Sequence, residues 1–149
     1  MAFLLDTNHC FLLIARDSRL VAAAAARAAE RVTTSVVVAG ELRYGAAVSE
    51  RNRENAAAVE DFLGRIDQLL ILPATTQHYA DLKSRLLAEY GPRERSRRRG
   101  FDLAKLGFTD NDLWIAASAI EHQAVLVSDD SDYRRMADVS NLSVETWLR

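Results

Sequence analysis

Cysteine occurs once in this 149-residue chain, at Cys10, so no internal disulfide can form and four-cysteine or mixed Cys/His zinc modules are excluded. A reducing, cytoplasmic setting fits that usage best. Nowhere do about 18 apolar residues run uninterrupted, the length an ordinary membrane-spanning helix needs. The opening from Met1 to Asp6 lacks a basic start and meets a carboxylate too early for a signal sequence. Neither sign of charge dominates: 19 basic against 21 acidic residues give a net charge of -2, so no global field calls for nucleic acid and local clustering has to decide. Internal repeats are absent, as is any linker long enough to divide the chain.

Apolar residues make up 49% of the chain, which argues against general disorder, and the length suits one domain with a sizeable core. Phe3-Leu4-Leu5 ending in Asp6 reads as a buried strand whose last residue emerges at the sheet's C-terminal edge, where open α/β sheets place their ligands. It is the natural central strand. Residues 7–16 and 18–31 read as helices, Thr33 to Val37 as a second strand, and Val38 through Glu41 to Tyr44 as a helix. Asn55 to Leu70 carries apolar residues at helical spacing and runs into a short strand around Leu69 to Leu72, stopped by Pro73. Thr75 and Thr76 offer capping hydroxyls for a helix with Tyr79, Leu82, Leu86 and Tyr90 on one face, closed by Gly91-Pro92. A helix from Thr109, a strand over Ala124 to Val127, a short helix near Tyr133 to Ala137 and an edge strand at Ser143 to Glu145 complete the pattern. Strands alternating with helices predict an α/β fold: a single domain over 1–149 with a short, mostly parallel central sheet flanked by helices.

Four acids, Asp6, Glu41, Asp112 and Asp130, each lie at a strand's C-terminal end or in the first turns of the helix after one. Right-handed connections bring those positions to the same rim. Oxygen ligands without histidine or cysteine suit a hard divalent cation, Mg2+ or Mn2+, and two ions about 3.5–4 Å apart could activate water and stabilise a leaving oxygen in phosphodiester cleavage. Each acid also has a plainer use. Asp6 could cap the helix from Thr7, Asp112 lies three residues after Thr109 in a capping-box position, Glu41 could be a solvated surface residue, and residues 128–132 could be an acidic turn. Their coincidence at one rim favours the metal reading. His9, His78 and His122 lack metal-ligand spacing, Cys10 reads as packing, and Trp114 and Trp147 read as packing or dimer-surface residues.

Taken together, Leu4-Leu5-Asp6-Thr7-Asn8, Ser35 with Glu41-Leu42-Arg43-Tyr44-Gly45, Asn111-Asp112-Leu113-Trp114-Ile115-Ala116-Ala117 and Val127-Ser128-Asp129-Asp130 resemble the PIN-domain ribonucleases, most closely the VapC-type toxins of bacterial toxin-antitoxin pairs. The resemblance spans nearly the whole chain. It implies an endoribonuclease dependent on Mg2+ or Mn2+, a cognate antitoxin that occludes the site, and a homodimeric toxin. By matching motif, Asp6, Glu41, Asp112 and Asp130 form the acidic quartet, with Asn8 and Ser35 supporting it by hydrogen bonds. Asp129 or Asp132 could take or share the fourth place, and Asp110 could add an outer charge. Glu41 either binds metal or orients the attacking water.

An acidic pocket repels a polyanion, so basic surface is needed nearby. From Gly91 to Gly107 the chain reads as a mobile loop, longer and more basic than a compact family member has, with Arg93, Arg95, Arg97, Arg98 and Arg99 against the single Glu94. Without these five, 14 basic residues face 21 acidic ones, so the rest of the domain is strongly acidic. Arginine's planar head suits RNA phosphates and bases, although such a run can also be a merely solvated loop. The competing function is a PIN-like module that has lost cleavage and binds RNA or a protein partner. A phosphate-signalling receiver would want an acidic pair after the first strand and a late lysine, and an aspartate-nucleophile phosphatase would want an aspartate where Asn8 stands.

Overall fold

A computed structural model describes all of residues 1–149. Five strands, β1 (Ala2–Leu5), β2 (Arg31–Ser35), β3 (Asp67–Leu69), β4 (Val125–Val127) and β5 (Val144–Glu145), form one sheet in the order β3-β2-β1-β4-β5. Every neighbouring pair is parallel, so the sheet is parallel throughout. Phe3, Leu4 and Leu5 are buried, as a strand covered on both faces requires. The Thr33 and Thr34 hydroxyls, completely buried on β2, donate to the carbonyls of Phe3 at 2.7 Å and Leu5 at 3.0 Å, which satisfies them and ties β2 to the central strand.

Eight helices flank the sheet: α1 (Thr7–Ile14), α2 (Ser18–Ala26), α3 (Val36–Ala47), α4 (Asn52–Leu63), α5 (Pro73–Tyr90), α6 (Arg95–Arg98), α7 (Asp110–Glu121) and α8 (Ser131–Asp138). The strand expected at Thr33 to Val37 ends instead at Ser35. Its hydroxyl accepts from the Val38 amide at 3.2 Å, so a capping serine turns three β-branched valines into the first turn of α3. Asp17 caps α2 in the same way, accepting from the amides of Arg19 and Leu20. β3 ends at Leu69, which leaves Leu70, Ile71 and Leu72 outside the sheet and partly exposed. Pro73 starts α5, at a position where a missing N–H costs nothing, and the buried Thr75 hydroxyl accepts from the Leu72 amide at 2.9 Å.

The segment from Gly91 to Gly107 is not the structureless loop its composition suggests. It contains the single turn of α6 and a 3-10 turn over Leu103–Leu106, anchored by buried Leu103, with Phe108 buried just beyond it. Arg135 of α8 donates to the Leu106 carbonyl at 2.8 Å and lies over the rings of Phe108 and Tyr90. Gly107 has φ 97°, and a Cβ there would meet the Asp132 carboxylate at 2.9 Å. The segment thus reaches the N-terminal end of α7 by a fixed route. No helix is long and apolar enough to cross a membrane.

Candidate functional site

Because every strand is parallel, their C-terminal ends share one rim, and the chain leaving β1, β2 and β4 there supplies most of an acidic cleft. Its walls are Asp6, Thr7, Asn8, Glu41, Asp112, Asp129, Asp130 and Tyr133, around a volume of about 420 Å3. Asp6 comes directly after β1, Asp130 three residues after β4, Glu41 from the second turn of α3, and Asp112 from the first turn of α7.

Asp6 is buried, and its Oδ1 accepts from the backbone amide of His9 and from His9 Nδ1, each at 2.8 Å. Its Oδ2 accepts from the Ser128 hydroxyl, which comes from the end of β4. The plainer reading of Asp6 is therefore also true: it caps α1. Thr7 donates its hydroxyl to Glu41 Oε1 at 2.7 Å. Tyr133 donates to Asp112 Oδ1 at 2.9 Å. Burial, then the adjacent charge of Asp112, pushes the Tyr133 hydroxyl well above its ordinary value, so it stays a donor. Burial also raises the Asp112 carboxyl, opposed by hydrogen bonds from Thr109 and Tyr133 and reinforced by the charges of Asp130 and Asp132. Asp130 caps α8 by accepting from the Asp132 amide at 2.8 Å, and Asp129 accepts from the Thr146 hydroxyl.

Of the residues singled out from the sequence, Asp6, Glu41, Asp112, Asp129, Asp130 and Asn8 share this cleft. Ser35 does not join them, because its hydroxyl is committed to capping α3. Asp132 is drawn to Arg135 at 3.1 Å. Asp110 turns to α5, where Tyr79 donates to it at 2.6 Å and Lys83 lies 3.1 Å away. None of the five arginines lines the cleft; Arg97 pairs with Glu94 at 3.1 Å, and Arg98 clasps the carbonyls of Pro92 and Arg93. Cys10 is buried, its thiol pushed up to about 12 by burial, and is no nucleophile. Trp147 is buried against Phe3, and Trp114 stacks on Tyr79 with centroids 3.9 Å apart. The partners that the sequence reading passed over are Thr7, His9, Ser128 and Tyr133. His9 had a usable signal, lying three residues after Asp6 and so one helical turn away.

No three His, Cys, Asp or Glu side chains stand close enough to grip an ion unaided. The donor set still fits a hard cation. The cleft offers carboxylate oxygens and no nitrogen or sulfur, and Mg2+ characteristically takes only one or two carboxylates while keeping waters and substrate oxygens.

The PIN domain family model matches residues 3–139. The chain is 29% identical over 150 residues to ribonuclease VapC2 of Haemophilus influenzae, covering 99% of both chains. Against ribonuclease VapC4 of Mycobacterium tuberculosis it is 33% identical over 114 residues, covering 74% of this chain and 75% of the relative. The fold is similar to a chain in the crystal structure of VapBC2 from Rickettsia felis bound to a promoter DNA fragment, with a TM-score of 0.75, 26% identity and 99% coverage of each. With sheet order, rim and family model in agreement, the chain belongs to the PIN-domain family.

Proposed function

We propose that this protein is the toxin of a toxin-antitoxin pair: an Mg2+- or Mn2+-dependent endoribonuclease, acting in the cytoplasm as a homodimer and silenced by a cognate antitoxin. The observation that carries the reading is the gathering of Asp6, Glu41, Asp112, Asp129 and Asp130 around one cleft. Ribonuclease relatives aligned over 99% of the chain and a toxin-antitoxin structural neighbour support it.

Asp6, Asp112 and an acid from Asp129 or Asp130 would hold the cation, one or two of them directly and the rest through its bound waters. When bound, the ion supplies a Lewis acid for the scissile phosphate and the attacking water. Thr7 occupies one oxygen of Glu41 and leaves the other to take a proton from that water. The water oxygen bonds to phosphorus, one ester P–O bond breaks, and the proton goes on to the leaving oxygen. Tyr133 keeps Asp112 turned into the cleft without itself giving up a proton. Arg93, Arg95, Arg97 and Arg99 receive phosphates of the strand beyond the cleft, while Arg98 braces the segment's own backbone, and together they offset the repulsion between RNA and the acidic rim.

The test is cleavage of single-stranded RNA by purified protein with Mg2+, with Mn2+ and with chelator, with Asp6→Asn as control. Cleavage that needs the cation and vanishes in the variant supports the reading. Binding of RNA without any cleavage under all conditions overturns it in favour of the cleavage-inactive module.

A further inference from the structure

His9 is completely buried, and it is the one residue whose side chain leaves a buried polar atom without a partner: Nε2 contacts no donor or acceptor. Orphaned nitrogens are rare in folded proteins because burying them costs stability. Leucine would fill the same space without burying an unpartnered nitrogen. What the ring does contribute is Nδ1, 2.8 Å from Asp6 Oδ1. The hydrogen between them belongs to Nδ1, since a carboxylate presents only lone pairs.

A carboxylate offers about four lone-pair sites. Oδ1 of Asp6 accepts twice from His9, through the amide and the ring, and Oδ2 accepts once from Ser128. One site is left, on Oδ2. Without the imidazole, Oδ1 regains a free lone pair and the carboxylate loses one of the three contacts that hold its rotation about χ2, keeping only the His9 amide and Ser128.

We propose that His9 is a positioning residue for the cation: its Nδ1–H saturates Asp6 Oδ1 and turns Oδ2 toward the cleft as the single metal-binding oxygen of that side chain. This rests on the reading of Asp6 as a cation ligand. Residues that orient a metal ligand in this way are worth about 10–100-fold in metal affinity.

The experiment is calorimetric titration of the whole protein with Mn2+ alone, together with thermal unfolding of the metal-free form, for wild type, His9→Leu, His9→Asn and Asp6→Asn. Asparagine's amide N–H can stand where Nδ1–H stands. His9→Leu should bind Mn2+ about 10–100-fold more weakly while unfolding at the wild-type temperature or above, and His9→Asn should recover most of the affinity. Unchanged affinity in His9→Leu overturns the proposal, as does loss of affinity together with lowered unfolding temperature in both His9 variants. If wild type and Asp6→Asn bind Mn2+ alike, it is the metal reading of Asp6 that fails instead.

Discussion

In the acidic cleft, a neutral donor from elsewhere in the chain fixes an oxygen of each of three carboxylates: Ser128 for Asp6, Thr7 for Glu41 and Tyr133 for Asp112. In the arginine segment, Arg93, Arg95 and Arg99 are exposed, Arg97 pairs only with the nearby Glu94, and Arg98 is spent on its own backbone. Both regions concentrate charge, but only the first controls where each charge points. A carboxylate that must share an ion with others has to be placed to within about 0.5 Å. A guanidinium that meets a flexible polyanion needs only to be near, because phosphate contacts position the strand without reading it.

Breaking the cleft should therefore have the largest consequence. Asp6→Asn should lower the RNA cleavage rate by about 1000-fold or more, since losing a cation ligand removes several kcal/mol of transition-state stabilisation. It should also remove the rise in unfolding temperature that Mg2+ gives the wild type. Retained cleavage would dissolve the distinction between the two regions. Changing Arg93, Arg95, Arg97 and Arg99 to Gln should weaken RNA binding by a graded amount, reducing the salt slope by about 0.7 for each guanidinium that meets a phosphate. Binding titrations at several salt concentrations read this directly, and an unchanged slope makes the segment a bystander.

A smaller effect concerns stability. The folded protein holds a proton on Asp112 more tightly than the unfolded chain does, so ionising that carboxyl costs folding free energy. The cost is absent below the unfolded carboxyl value, grows as pH rises through it to the raised folded value, and persists at neutral pH. Asp112→Asn should accordingly unfold at a higher temperature than wild type in the metal-free state at pH 7. The gain should vanish in acid, and a lower unfolding temperature at pH 7 contradicts the assignment. The smallest change expected at the cleft itself is in Ser35→Ala, which should cost about 1 kcal/mol of stability through the lost cap while leaving Mn2+ affinity untouched.

Much of the architecture was legible in the chain because buried parallel strands announce themselves as short apolar runs, as Phe3 to Leu5 and Val125 to Val127 do. The common rim followed from topology, and with it the meeting of Asp6, Glu41, Asp112 and Asp130 around one cleft. Ser35 was misread because a serine before β-branched residues looks equally like strand or cap, and only the folded backbone decides. Ser128 and Tyr133 were passed over for a different reason. Their importance lies in which oxygen they touch, and that depends on rotamers set by packing between elements far apart in sequence. The basic segment looked structureless because neither the Leu103 anchor nor the Arg135 clamp from α8 follows a helical or strand period.

The contact between Ser128 and Asp6 joins residues 122 positions apart. During synthesis on the ribosome, Asp6 must therefore wait for the chain through β4 to emerge before its carboxylate can be locked and Asp129 and Asp130 added to the cleft. An unfinished copy carries Asp6 and Glu41 but neither Asp129 and Asp130 nor the contact that locks Asp6, and so the translation machinery producing this protein is not exposed to a competent nuclease until the nascent polypeptide is nearly made.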